Sequence, residues 1–219
     1  MSHFVILIKI LPSEWANDFL DGNLYLNTSV SFGQLDESDI VRFDADDGVV
    51  EALQAEGMDI EDEHGNWIPI GGIQNPVLYR SRSSENLNIL CLYTITSPRG
   101  ESFDSRNLCF GDEAIVILNL NTFINRVKLA AKSQMKRVRH GPVEYVDRTT
   151  HHGAMGSFRK FNDFKYQNEF RFVFSDGNGQ ACRLAIGSIR DITTKIRSTD
   201  IPSFWQSMLG KRGITGHST

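Results

Sequence analysis

The chain has 219 residues, 40% of them hydrophobic and 23% charged, with a formal net charge of −4. This suits one substantial globular domain, and no stretch approaches the roughly eighteen unbroken apolar residues of a membrane span. Three cysteines (Cys91, Cys109 and Cys182) are odd in number and widely spaced, which suits reduced core residues of a cytoplasmic protein and argues against a disulfide framework or zinc site.

The opening "MSHFVILIKILPSEW" has a short apolar run, no basic leader and no small-residue cleavage site. It reads as a buried first strand over 4–10, not as a signal peptide. "PSEWANDFL" follows as a helix with Ser13 at its N-cap, Trp15, Phe19 and Leu20 at helical spacing, and Gly22 as its stop. "NLYLNTSVSFG" (23–33) alternates as a second strand, with Leu24, Leu26 and Thr28 on one face. Residues 36–66 hold twelve acidic residues and one basic one. This reads as an acidic surface excursion with one short helix at about 49–56.

The core resumes in a strand over 84–95 and another over 113–120, with a polar loop between them. "NTFINRVKLAAKSQMKRV" (121–138) is the strongest helix, capped by Asn121 or Thr122, with Phe123, Val127, Ala130 and Ala131 inward. A short strand over 141–148, a basic loop over 149–163, a strand over 168–174 and a last strand near 181–186 complete the order, and 211–219 reads as a flexible tail. Several short strands with two clear helices predict one α+β domain over 1–210, its sheet mixed or mostly antiparallel. There is no βαβ rhythm and no GxGxxG.

Charge is divided along the chain. Residues 1–125 carry six Lys/Arg against twenty Asp/Glu, and the remainder seventeen against seven. Either the basic half meets an anionic partner or the halves neutralise each other. Lys136, Arg137 and Arg139, at the end of the long helix, are candidate contacts to single-stranded nucleic acid, as are basic residues interleaved with aromatics over 158–166. Asp44, Asp46, Asp47 and Glu51 could hold a divalent ion, but their spacing is not that of an EF-hand, and a solvated loop is the preferred reading. The adjacent His151 and His152 lack the helical spacing of a zinc motif, so no metal site is assigned.

In "FKYQNEFRF" (164–172) a strand would put Phe170, Phe172 and Phe174 on one face and Glu169 and Arg171 on the other. That second face is expected to line a cleft shared with Tyr25.

The blocks "FLDGNLYLNT…RFDADDG", "NILCLYTI", "FGDEAIVILNLNTFINRV", "VEYVDR", "FRKFNDFKYQNEFRF" and "LAIGSIRDI" resemble a family of uncharacterised bacterial and prophage proteins of the phage-conflict type, over most of residues 15–192. More distantly, the early strand, the "LYLNTS" strand and the late glutamate resemble the three-part signature of ADP-ribosyltransferases. That resemblance implies an ADP-ribosyltransferase-like fold and an enzyme that moves ADP-ribose from NAD, its co-substrate, to a macromolecule, with nucleic acid a candidate acceptor. It implies Glu169 and Tyr25 as catalytic residues, and Lys9, Asn27, Thr28, Ser29 and Arg171 around NAD. Gln167 would face the acceptor, with Lys136, Arg137 and Arg139 beyond it. The chain departs from the signature in two places: Lys9 stands where Arg, His or Tyr is expected, and Gln167 where a second glutamate would be. The implied setting is cytoplasmic, a toxin or antiviral-defence protein with a protein partner or antitoxin and no membrane. Two other readings stay open, a non-enzymatic binder of nucleotide or nucleic acid such as a phage inhibitor of host defence, and a metal-dependent nuclease built on the acidic loop and Glu169.

Overall fold

"VILIKIL" is apolar and β-branched on both sides of the pleat, as a strand covered on two faces must be. In the computed structural model, which describes residues 5–28, 44–81, 86–96, 103–134 and 136–211, it forms β1 (Val5–Leu11). After it come α1 (Ser13–Leu20), β2 (Asn23–Thr28), β3 (Val49–Leu53), β4 (Met58–Glu61), β5 (Trp67–Ile70), β6 (Val77–Arg80) and β7 (Asn88–Thr96). The second half holds β8 (Glu113–Ile117), α2 (Leu120–Ser133), β9 (Val138–Pro142), β10 (Glu144–Val146) and β11 (Gly153–Ala154). The last elements are β12 (Arg159–Phe161), β13 (Glu169–Phe174), β14 (Cys182–Ala185), β15 (Thr193–Arg197) and α3 (Ile201–Lys211).

The architecture is α+β with mostly antiparallel sheets and few helices. Eight strands form the main sheet in the order β14-β2-β7-β1-β8-β15, with β13 on β7 and β9 on β13. Small sheets join β11, β3 and β6, and β4 with β5, while β10 and β12 pair in parallel.

Alternation sorts the main sheet into two apolar faces. Leu7, Leu26, Leu90, Leu92, Ile115 and Phe172 face α1 and α2, which supply Phe19, Leu20, Phe123, Val127 and Ala131. Ile6, Ile8, Ile10, Tyr93 and Val116 face Ile201 and Trp205 of α3. A third cluster of Val49, Ala52, Met155 and Phe161 lies under the small sheets.

One break in pairing positions the site. β13 takes one edge of β7 from Asn88 to Tyr93. The other edge is shared, with β2 at Asn88 and Ile89 and β1 from Tyr93 to Thr96. Between them, residues 90–92 of β7 pair with neither strand, so the sheet splits there. The Lys9 ammonium crosses the gap and donates to the Cys91 carbonyl at 3.1 Å. Gly22, at φ +86°, makes the turn into β2, and a Cβ there would stand 1.9 Å from the Gly187 carbonyl oxygen. Only glycine permits this approach.

Several local expectations are corrected. Ser13 is the first helical residue, not the cap; Pro12 holds that place, and the Ser13 N–H donates to Asp112 at 2.9 Å. In α2 the cap is Asn119, whose side chain accepts from the Thr122 N–H at 3.1 Å. The short helix expected over 49–56 is β3, because Val49 and Ala52 are buried between β6 and β11. α3 was not anticipated. Residues 29–43 and 212–219, with Ser29 and most of the expected tail, lie outside the described residues.

Phe172 is fully buried and meets Phe123 edge to face, ring centres 5.8 Å apart. Phe172→Ala is expected to cost about 3–5 kcal/mol, read as a lower urea midpoint at unchanged slope.

Candidate functional site

The site begins with one left-handed residue. Asn168 has φ +40°, a conformation asparagine tolerates better than most residues. It is held on both sides: its side-chain amide donates to the Thr94 carbonyl, and its own carbonyl accepts from the Thr94 N–H, each at 2.8 Å. The next residue, Glu169, therefore enters β13 with a fixed direction. Phe170, Phe172 and Phe174 turn to the helical layer, while Glu169 and Arg171 stand opposite Tyr93 and Cys91 on the other face.

That other face is covered. Arg171 is 1% exposed and Glu169 7%. The Arg171 Nε donates to Glu169 Oε2 at 2.7 Å, and its terminal nitrogens donate to both oxygens of Asp47, at 2.7 and 3.3 Å. A further bond runs to the Ser157 carbonyl at 3.0 Å. Lys160, on β12, reaches the same carboxylate from the other side: its ammonium lies 2.8 Å from Glu169 Oε1, 2.8 Å from Gln167 Oε1 and 2.9 Å from Asp44 Oδ2. The Phe164 ring centre is 4.8 Å away. Two cations and three carboxylates thus interlock with little access to water.

These contacts set the protonation states. Burial alone would raise the Glu169 carboxyl, but Arg171 and Lys160 outweigh it and hold the group well below the usual carboxylate range. Burial would likewise strip the proton from Lys160, and the charges of Glu169, Asp47 and Asp44 keep it on. Asp44 moves the other way: burial raises it, and Lys160 offsets this only in part. Desolvation, with the charge of Glu169 nearby, pushes the half-buried Cys91 thiol up to about 12, so it stays protonated.

At the split in the sheet lies a cavity of about 600 Å³ with this cluster at its base. Of the residues predicted from sequence, Lys9, Tyr25, Asn27, Gln167, Glu169 and Arg171 all line it. Tyr25 is 58% exposed, and Trp15 of α1, 52% exposed, lines the same cavity. Thr28 faces the core instead, following Leu24 and Leu26 in the alternation. Ser29 lies outside the described residues.

The basic candidates lie apart. Lys136, Arg137 and Arg139 do not line the cavity; Arg137 pairs with Asp176, and Arg139 lies over the Phe158 ring at 5.6 Å. Lys160 and Phe161, read as part of a nucleic-acid grip, are buried. Much of the charge division is met internally: Asp18 pairs with Arg183 and Asp21 with Arg190, both at 2.9 Å, Glu113 with Lys195 at 3.0 Å, and Asp46 with Arg148. Asp44 and Asp47 are not a solvated loop, because Lys160 and Arg171 draw them inward. Each of them is linked to Glu169 through a cation, and among the described residues no three His, Cys, Asp or Glu side chains are grouped to hold a metal ion.

Sequence reasoning missed Lys160, Trp15 and Tyr145, whose hydroxyl oxygen accepts from the Glu169 N–H at 2.9 Å. Comparison with protein-family models, with curated proteins and with solved structures finds no match to this chain.

Two predictions follow from the cluster. Lys160→Met removes the cation between two buried carboxylates, and a loss of about 3–5 kcal/mol in urea unfolding is expected. Glu169 has its folded value depressed, so its contribution is present above the ordinary value of 4.5 and is lost as pH falls through the folded value. Asp44, with a raised value, acts in the opposite sense: its cost at neutral pH is relieved in acid. Unfolding followed from pH 7 to about pH 2 should show stability falling below 4.5, and a shallower fall in Glu169→Gln.

Proposed function

We propose that the cleft binds NAD and that the chain is an enzyme of the ADP-ribosyltransferase type, with a macromolecule as acceptor. The observation that supports this reading is the convergence of Lys9 from β1, Tyr25 and Asn27 from β2 and Glu169 from β13 on one cavity. Two early strands and one late strand supply a cation, an aromatic face, an amide and a carboxylate to one place. The ring of Tyr25 is free on the solvent side to stack on a planar heterocycle.

In the proposed reaction the bond between nicotinamide and ribose C1′ breaks, and nicotinamide leaves with the electron pair. The acceptor's nucleophile forms the new bond to C1′ and gives up its proton to solvent water. Positive charge builds on the ribose at the midpoint, and an ionised, preoriented carboxylate stabilises it. Glu169 suits that role because Arg171 and Lys160 keep it charged and still. Arg171 suits the pyrophosphate role poorly, since its donors are spent on Asp47, Glu169 and Ser157. Lys9 at the split and Arg183 at the cavity wall are the cations nearer to a ligand.

One observation favours a second reading, a non-enzymatic nucleotide-binding protein. Both oxygens of Glu169 are already engaged, one by Lys160 and one by Arg171.

Calorimetric titration with NAD, together with chromatography for released nicotinamide in the presence of nucleic acid and protein acceptors, separates the two. Binding with release supports the enzyme, and binding without release supports the binder. No binding at millimolar NAD overturns the enzyme, and no binding of ATP or GTP at the same concentration overturns the nucleotide binder as well. Tyr25→Ala, at an exposed position, should leave folding intact and weaken NAD binding by about 1–3 kcal/mol, roughly fivefold to 150-fold.

A further inference from the structure

The β4–β5 hairpin carries an exposed apolar face. Its register sets Met58 opposite Ile70 and Ile60 opposite Ile68, so four apolar side chains share one side, and all four are exposed. Trp67, on the reverse side, is 67% exposed. Each of the two strands pairs only with the other among the described residues. Singly exposed apolar residues are ordinary, whereas a contiguous set on a projecting hairpin marks a contact surface.

Charge narrows what can cover it. Asp62 and Glu63 stand in the turn that joins the strands, Asp59 and Glu61 alternate onto the reverse side with Trp67, and no Lys or Arg occurs between Arg42 and Arg80. Two such hairpins, each carrying four carboxylates and no Lys or Arg, repel as they approach. The complementary surface must be basic at its rim and apolar within.

The chain has such a surface elsewhere. A groove of about 470 Å³ runs along β9, lined by Lys128, Arg139 and His140 together with Val138, Pro142 and Phe158, and no carboxylate lines it. β9 gives one edge to β13, and among the described residues no strand pairs with its other edge. An open strand edge accepts a further strand, and side chains on either side then set the choice of partner.

We propose that the hairpin docks into the β9 groove of a second copy of this chain. The apolar face of the hairpin covers Phe158 and Val138, and its acidic turn meets Lys128 and Arg139. The contact joins unlike surfaces, so copies add head to tail unless a pair exchanges hairpins reciprocally. The inference is independent of what the cleft binds.

Sedimentation velocity over a range of concentrations tests it on the full chain. Association that grows with concentration and weakens by roughly tenfold between low and high salt is expected, as for any contact built on unlike charge. Ile60→Ser with Ile68→Ser should abolish association while circular dichroism is unchanged, as both side chains are already in water. Lys128→Glu with Arg139→Glu should abolish it as well, and adding Glu63→Lys, in the exposed turn, to that variant should restore part of it. A chain that stays monomeric at every concentration overturns the proposal. So does association that survives either pair of surface changes. Binding of the monomer to phosphatidylcholine vesicles, or to a Lys/Leu amphipathic peptide, lost in Ile60→Ser with Ile68→Ser, would assign the hairpin to a lipid surface or to a foreign basic protein instead.

Discussion

An arginine at 1% exposure dictates much of this structure. A guanidinium taken out of water must recover its hydrogen bonds from the protein, and Arg171 does so from Asp47, Glu169 and the Ser157 carbonyl. Lys160 repeats the arrangement with Asp44, Gln167 and Glu169. Glu169 belongs to both sets and joins them. Such a cluster adds little net stability against an apolar replacement of the same shape. It does, however, admit few alternative registers, because shifting any one segment would strand a buried charge. The turn at 44–47, strand β12 and strand β13 are therefore locked together under the small sheets.

The main sheet contributes the complementary element. A continuous sheet would offer the cluster only a closed wall. Because β1 and β2 share one edge of β7 and diverge, a gap opens beside residues 90–92, and the charged face of β13 is reached from outside through it. Lys9 satisfies one of the carbonyls that the split leaves unpaired. Tyr25 and Asn27 flank the gap because β2 points its odd residues away from the helical layer. The cavity, its polar floor and its aromatic rim thus follow from two pairing registers and one left-handed residue at 168.

The α+β class and most strands were legible because β-branched runs and alternation survive in a single sequence, as in "VILIKIL" and "EFRFVF". The two faces of β13 were legible for the same reason. Lys160 was not, since "FRKFNDFK" has the composition of a basic loop, and only the fold shows that one of its lysines meets three carboxylates. Asp44 and Asp47 were hidden by their own neighbourhood, where acidic density masked the buried Val49 and Ala52. α3 carried a signal that was passed over: Ile201, Phe204, Trp205 and Met208 have helical spacing, and Pro202 falls in the first turn, where proline is compatible with a helix. The spatial union of residues 9, 25, 27 and 169 lay beyond periodicity, which reports on neighbours in the chain and not across a sheet.

The pairing of Asp47 with Arg171 also has a temporal meaning. The partners are 124 residues apart, and the chain leaves the ribosome from its N-terminus at about 5–20 residues per second. The acidic turn is therefore synthesised roughly 6–25 seconds before the arginine that will bury it. During that interval its carboxylates remain hydrated and repel one another, which keeps the turn off the apolar strands already made. Cations for Asp44 and Asp47 arrive only with β12 and β13, so the polar floor of the cleft is completed late in synthesis, after β1, β2 and β7.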